Sequence, residues 1–372
     1  MHFSIDRKYF YEKLSIVARA ISVFSPLPAL SGISIDVKED KIILTGSDSN
    51  ISIRTIIVEG ELNHLSIQEP GSIVIESKYL LEIIRKMDCS CVDMELLDSS
   101  LIRISSDNGV FKLNGIQSNE YPNIDFSQPN NEFTLANKDL VNIVNQTAFA
   151  CSDKDTRPVL NGVNFKAVNQ SLHCSGTDSY RLARKTISLD SNQNFNITIP
   201  SKSLQEVVRS LNEDGNVTIY VDNKKAQFVF DKTILQTRLI DGSFPDVERI
   251  IPTECIATME VNAKELMSVI DRTNFIRNEK IHLIKMECSP EVCRIKTSST
   301  EIGNSDEILT DCVYNGEEMV LSCNGSFMMD AVKAVSSEKV ILKFSGTMKP
   351  IRIENPKDDS VIMVVVPIRS YD

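Results

Sequence analysis

Three stretches of this chain vary a single pattern at long, nearly equal spacing, and this constrains the fold more than anything else in the sequence. Phe3-Ser4-Ile5-Asp6-Arg7-Lys8 leads into Leu14, Ile16 and Val17. Phe133-Thr134-Leu135-Ala136-Asn137-Lys138 leads into Leu140, Ile143 and Val144, and Met259-Glu260-Val261-Asn262-Ala263-Lys264 into Leu266, Val269 and Ile270. Each reads as a short alternating strand, a polar capping residue, a lysine and an apolar helical period. The starts are 130 and 126 residues apart.

Two further markers keep this spacing. Ile73-Val74-Ile75-Glu76-Ser77-Lys78, Ile197-Thr198-Ile199-Pro200-Ser201-Lys202 and Met319-Val320-Leu321-Ser322-Cys323-Asn324 again read as strand, cap and helix start. Between the two strand–helix halves lie Leu44-Thr45-Gly46-Ser47-Asp48, Cys174-Ser175-Gly176-Thr177-Asp178 and Thr297-Ser298-Ser299-Thr300-Glu301. A solenoid repeats every ~20–50 residues, so this longer period speaks for folded domains. A chain of 372 residues has room for three with proper cores. The expectation is an α+β protein of three homologous domains, residues 1–125, 131–252 and 256–372, each with two strand-then-helix halves. Alternating segments such as 41–44, 101–105, 217–221 and 351–354 supply further strands, several joined at Asn, Asp or Gly turns. Linkers are expected near residues 125–131 and 252–255.

Net charge is −11, which argues against nucleic-acid binding through a basic outer face. The charge is unevenly spread, however. The six repeated helical segments (7–19, 78–86, 138–149, 202–211, 264–273 and 324–335) hold thirteen Lys and Arg against seven Asp and Glu, a net +6. The remainder carries 27 basic and 44 acidic residues. Amphipathic helices often favour Lys and Arg on their wet face for solubility alone. The alternative is that six equivalent basic faces line a common hole and touch only phosphates.

Catalytic signatures are missing: there is no Gly-rich phosphate loop, HExxH, GxSxG or metal-spaced His/Cys cluster. The four histidines, at 2, 64, 173 and 282, are far apart and read as structural or surface residues. Nine scattered cysteines, an odd number, read as reduced thiols of a cytoplasmic protein. Cys89-Ser90-Cys91 lacks a second pair with ligand spacing, so no metal or cofactor is expected. The apolar run 361–366 is too short to cross a bilayer, and the first residues carry no export signal. Asp178-Ser179-Tyr180-Arg181 reads either as an active-site cluster or as a structural Asp–Arg pair at a strand end. An enzyme built on Asp178 and Arg181 would need a general base or metal set, and none is visible. A monomeric peptide-binding adaptor is the other rival.

Thr177-Asp178-Ser179-Tyr180-Arg181-Leu182-Ala183 closely resembles the T-D-[GS]-[HY]-R-L-A signature of bacterial sliding clamps, the beta subunit family of DNA polymerase III. Residues 157–162 (RPVLNG), 244–252 (FPDVERIIP) and 366–369 (VPIR) resemble further family motifs in the same order, so the likeness spans the whole chain. The resemblance implies the DNA clamp fold, two helices per domain on antiparallel sheets, and a head-to-tail homodimeric ring around duplex DNA. It implies a non-catalytic processivity factor that tethers the replicative polymerase, the clamp loader and repair proteins through short linear motifs.

It also implies a partner-peptide pocket between the second and third domains. That pocket would use Leu160, Thr177, Tyr180, Arg181 and Leu182 with Pro245, Arg249 and Ile250. Its closing wall would be Val364, Val365, Val366, Pro367, Ile368 and Arg369, with Ile281 and Pro350 as outlying members. Apolar members would bury ligand side chains, while Tyr180, Arg181, Arg249 and Arg369 would rim the site. DNA-facing cations would be Lys78, Arg85, Lys154, Lys202 and Arg209. The chain departs from the family pattern at Val366, where Met is common, and in the three residues after Arg369. Phe24 stands at a loop position where some relatives have arginine.

Overall fold

The computed structural model describes residues 1–22, 25, 27–276 and 281–369. Phe24 and the three residues after Arg369 lie outside the described residues. The chain divides into two compact units, one of residues 1–137 with 205–239, the other of residues 138–204 with 240–372.

The repeated strand–helix halves form as the apolar periods demand. Helices α1 (Arg7–Ala18), α2 (Ser77–Lys86), α3 (Asn137–Thr147), α4 (Ser201–Ser210), α5 (Ala263–Arg272) and α6 (Gly325–Val335) each follow directly on a strand. The polar residue at the switch serves as a cap in three of them. Asp6 accepts from the amide of Tyr9, Asn262 from Lys264 and Glu265, and Asn324 from Ser326. Each such bond satisfies a donor that the first helical turn leaves without a partner. Phe10, Leu14 and Val17 of α1, and Leu266, Val269 and Ile270 of α5, recur at helical spacing and are buried. Phe3 on the first strand meets Phe10 edge-on, with ring centroids 5.8 Å apart. Each of these side chains contributes ~1.5–3 kcal/mol by leaving water.

Among the described residues the first unit holds two antiparallel sheets. Five strands run in the order Ser66–Glu69, His2–Asp6, Cys91–Leu96, Leu101–Ser106 and Gly109–Asn114. The other sheet has eight strands, and in it Thr233–Arg238 of the second repeat pairs with Ile51–Val58 of the first. The second unit repeats this arrangement. In its seven-stranded sheet Asp358–Val365 of the third repeat pairs with Arg181–Pro200 of the second. A four-stranded sheet, Gly303–Leu309, Cys293–Ser299, Leu283–Cys288 and Met319–Asn324, completes the unit. Strands therefore pair across the repeat boundaries, which repeat spacing alone does not reveal.

The glycine of the central marker has a steric cause. A Cβ on Gly46 would lie 2.6 Å from the carbonyl oxygen of Val17, and one on Gly176 would lie 2.3 Å from that of Thr147. In both repeats the end of the first helix rests on the strand, and only glycine lets the backbones approach. The third repeat has Ser299 at this register.

Candidate functional site

Asp178 organises the turn on which the candidate site is built. Its Oδ1 accepts from the amides of Tyr180 and Arg181, both at 2.9 Å. The Thr177 hydroxyl donates to the Arg181 carbonyl at 2.7 Å and accepts from the Ser179 amide at 3.2 Å. Ser179 takes φ 79°, the left-handed conformation that closes the turn. The outcome pushes Tyr180 outward, 61% exposed.

The structural reading of Asp178 and Arg181 is the one realised. The Arg181 guanidinium donates from Nε to Asp178 Oδ2 at 3.0 Å and from Nη1 to Asp330 Oδ2 at 2.6 Å. It also lies over the rings of Phe327 and Phe149, at 4.4 and 5.5 Å. This cation is committed to holding the turn against α6.

Strand alternation sorts the remaining residues. Leu182 pairs with Val364 across the sheet, and together with Ile362 and Ile251 they form a buried apolar cluster against which Val247 packs. Val365, one residue on, faces the opposite way and joins the main core with Ala183, Val361 and Met363. Arg181 shares that opposite face with Val365, its partner in register. So the structure brings Leu182 and Val364 together and sends Arg181 and Val365 elsewhere, because neighbours on a strand point to opposite sides.

The chain after the last strand is tied down at two points. The amide of Val366 donates to the Tyr180 carbonyl at 2.9 Å, and that of Ile368 to the Ser322 carbonyl at 2.7 Å. Pro367 is buried between them, Val366 and Ile368 are half-buried and Arg369 is exposed. Ile351 pairs with Val365, and half-buried Pro350 directly precedes that strand. Ile250 is 39% exposed beside the cluster, and Arg249 is exposed with an ion pair to Asp246 at 3.0 Å. Pro245 lines a small separate cavity of about 140 Å³ with His173 and Lys166. Leu160 is buried in the short helix Pro158–Asn161, and Ile281 is exposed; neither belongs to the apolar cluster. Ile362, Val247 and Ile251 belong to the cluster in addition to the residues expected from the sequence. A two-residue step back from Val364 reaches Ile362, and a signal of that kind was available.

Lys78 and Arg85 are exposed on α2, Lys202 and Arg209 on α4, and Lys154 on a loop. Arg209 also contacts Glu206 at 2.6 Å. All nine cysteines are free thiols, and burial pushes that of Cys151 up to about 12. Among the described residues no group of His, Cys, Asp and Glu is placed to hold a metal. The histidines are dispersed: His2 contacts Asp93 at 2.9 Å, His173 contacts Thr186 at 3.0 Å and buried His282 contacts Thr273 at 2.9 Å. Among the described residues no helix is long and apolar enough to cross a membrane.

Repeated strand–helix halves on antiparallel sheets, paired across the repeat boundaries, define a protein of the DNA clamp fold. Comparison with known proteins agrees along the whole length. Residues 1–125, 134–246 and 248–369 match the N-terminal, central and C-terminal domain models of the DNA polymerase III beta subunit. The chain is 33% identical to the beta sliding clamp of Bacillus subtilis over 378 residues, with all of both chains covered. It is 35% identical to that of Staphylococcus epidermidis over 377 residues, again with full coverage. The crystal structure of the DNA polymerase sliding clamp from Bacillus subtilis superposes with a TM-score of 0.96 at 33% identity, covering both chains completely. The chain belongs to the beta sliding clamp family, the beta subunit of DNA polymerase III, whose members are processivity factors and not themselves catalytic.

Proposed function

We propose that two copies of this chain close head to tail into a ring around duplex DNA and tether the replicative polymerase to it. The observation that carries this reading is the match of all three domain models along one chain, in order. Clamp domains of residues 1–125, 131–252 and 256–372 give six units and twelve helices in the closed dimer. The edges support closure. Strand Gly109–Asn114 is the last of its sheet and shows Val110, Phe111 and Lys112 to solvent. Strand Gly303–Leu309 is likewise terminal and carries Asp306, Glu307 and Ile308. Apolar side chain against apolar side chain and open backbone edge against open backbone edge, one strand completes the other in a heterologous contact that closes on itself.

Inside the ring, Lys78, Arg85, Lys154, Lys202 and Arg209 meet phosphates and read no bases, so the protein slides. Partner proteins, including the polymerase, the clamp loader and repair proteins, insert a short apolar motif beside Tyr180 and Ile250. The motif lies over the floor of Leu182, Ile362 and Val364, along residues 366–369. Arg181 acts there as a positioning residue that holds the turn. The free thiols suit a cytoplasmic protein.

The test is retention on DNA. Protein loaded on a circular plasmid is expected to stay bound through a high-salt gel-filtration column and to be lost once the plasmid is cut. Equal loss from both forms sinks the ring.

A further inference from the structure

The first compact unit holds a second groove built on the same frame as the peptide site, yet lined with different chemistry. Asp48 Oδ1 accepts from the amides of Asn50 and Ile51, both at 2.8 Å. The Ser47 hydroxyl donates to the Ile51 carbonyl at 3.1 Å, and Ser49 takes φ 79°, as Ser179 does. The amide of Arg238 donates to the Asn50 carbonyl at 2.9 Å, just as Val366 does to Tyr180. Around this turn lies a cavity of about 470 Å³.

The register identifies what has changed. Ser52 pairs with Gln236 where Leu182 pairs with Val364. Asn50 stands for Tyr180 and Arg238 for Val366. The apolar floor has become hydroxyl and amide, with Ser52 Oγ paired to Ser47 Oγ at 2.8 Å and Gln236 bonded to Gln227 and to the Asp125 carbonyl, both at 3.0 Å, so an apolar side chain finds little apolar surface to bury against. Among the described residues three cations and two acids line this groove, so it keeps a positive balance. Lys225 Nζ lies 3.3 Å from Asp125 Oδ2, and Asp222 Oδ1 accepts from the amides of Lys224 and Lys225 at 2.7 and 2.8 Å. Lys224 and Arg238 line the cavity, are exposed and have no ion pair among the described residues.

We propose that this groove is a second peptide site, taking an extended acidic segment of a partner protein. Its carboxylates lie on Lys224 and Arg238 and its backbone runs past Asn50. Among the described residues no aromatic side chain lines the cavity, so stacked bases find no platform there, and a peptide fits better than a single strand of nucleic acid. The analogy rests on the peptide-site reading of the Tyr180 groove; the charges and the cavity do not.

The experiment titrates the full-length protein with two fluorescein-labelled hexapeptides, one of Glu, Asp and Ser only, the other ending in Leu-Phe. The acidic peptide is expected to bind saturably, one per chain. Lys224→Glu with Arg238→Glu weakens it at least about tenfold and leaves the Leu-Phe peptide unchanged, while an unchanged urea midpoint shows that the variant is folded. Lys232→Glu, at the far end of the same strand hairpin, leaves both unchanged. Four results overturn the proposal: no saturation, equal loss from Lys232→Glu, displacement of the acidic peptide by the Leu-Phe peptide, or tighter binding of a single-stranded oligonucleotide at Lys224 and Arg238. Failure of the Leu-Phe peptide alone counts against the Tyr180 groove and not against this one.

Discussion

The amide of Val366 donates to the carbonyl of Tyr180 at 2.9 Å, fastening the end of the chain to a turn almost two hundred residues earlier. With the Ile368–Ser322 bond, this holds residues 366–369 beside the Tyr180 turn, where they would wall the proposed peptide groove. A chain ending at Val365 keeps its last strand and loses two net hydrogen bonds, about 1–3 kcal/mol of stability. Urea unfolding measures that loss, and fluorescence titration is expected to show no binding of the Leu-Phe peptide.

Tyr180 and Leu182 separate binding from folding. Tyr180 is 61% exposed, so Tyr180→Ala shifts stability by no more than ~0.5 kcal/mol and weakens the Leu-Phe peptide about tenfold or more. Leu182 is buried, and Leu182→Asp places a charge on the apolar floor. That variant is expected to lose peptide binding together with stability. Unchanged affinity in a folded Tyr180→Ala protein contradicts the assignment.

Arg181 bonds to both Asp178 and Asp330 and stacks on Phe327. Arg181→Met frees both carboxylates, of which Asp330 is half exposed to solvent, and costs about 1–3 kcal/mol. Arg181→Lys does not restore it, since one ammonium lacks the planar fork that spans two carboxylates and a ring. Denaturant midpoints of the two variants are expected to lie close together and below that of the parent.

Phe111→Glu sets a carboxylate on the free edge that would meet Asp306 and Glu307 of a second copy. Light scattering is expected to give twice the 41.6 kDa chain mass for the parent and a single chain for the variant. A parent that is monomeric at every concentration removes the ring.

Reversing charge at Lys78, Arg85, Lys202 and Arg209 together is expected to cut retention on circular DNA at least about tenfold and to flatten its salt dependence. All four are exposed, so the melting midpoint changes little. Strong preference for one duplex sequence in the parent speaks against phosphate-only contact.

Local pattern sufficed for much of this. The strand–cap–helix halves were legible because apolar spacing switches from two to helical period at a capping residue, as at Asp6, Asn262 and Asn324. The Asp178 turn was also legible as a strand-end device, since a short acidic side chain bonds amides two and three residues ahead. Tertiary structure decided the rest. The segment 361–366 is apolar throughout and carries no alternation, so only the sheet shows that Val364 packs with Leu182 and Ile362 while Val365 joins the main core. Asp330 is the partner of Arg181 from 149 residues away, and nothing in either neighbourhood specifies the other. The second groove follows the same rule. Its turn is written in the sequence at Ser47–Ile51, but its lining of Lys224, Gln236 and Arg238 arrives only when strands of two repeats pair, because side-chain neighbours across a sheet are set by register and not by distance along the chain.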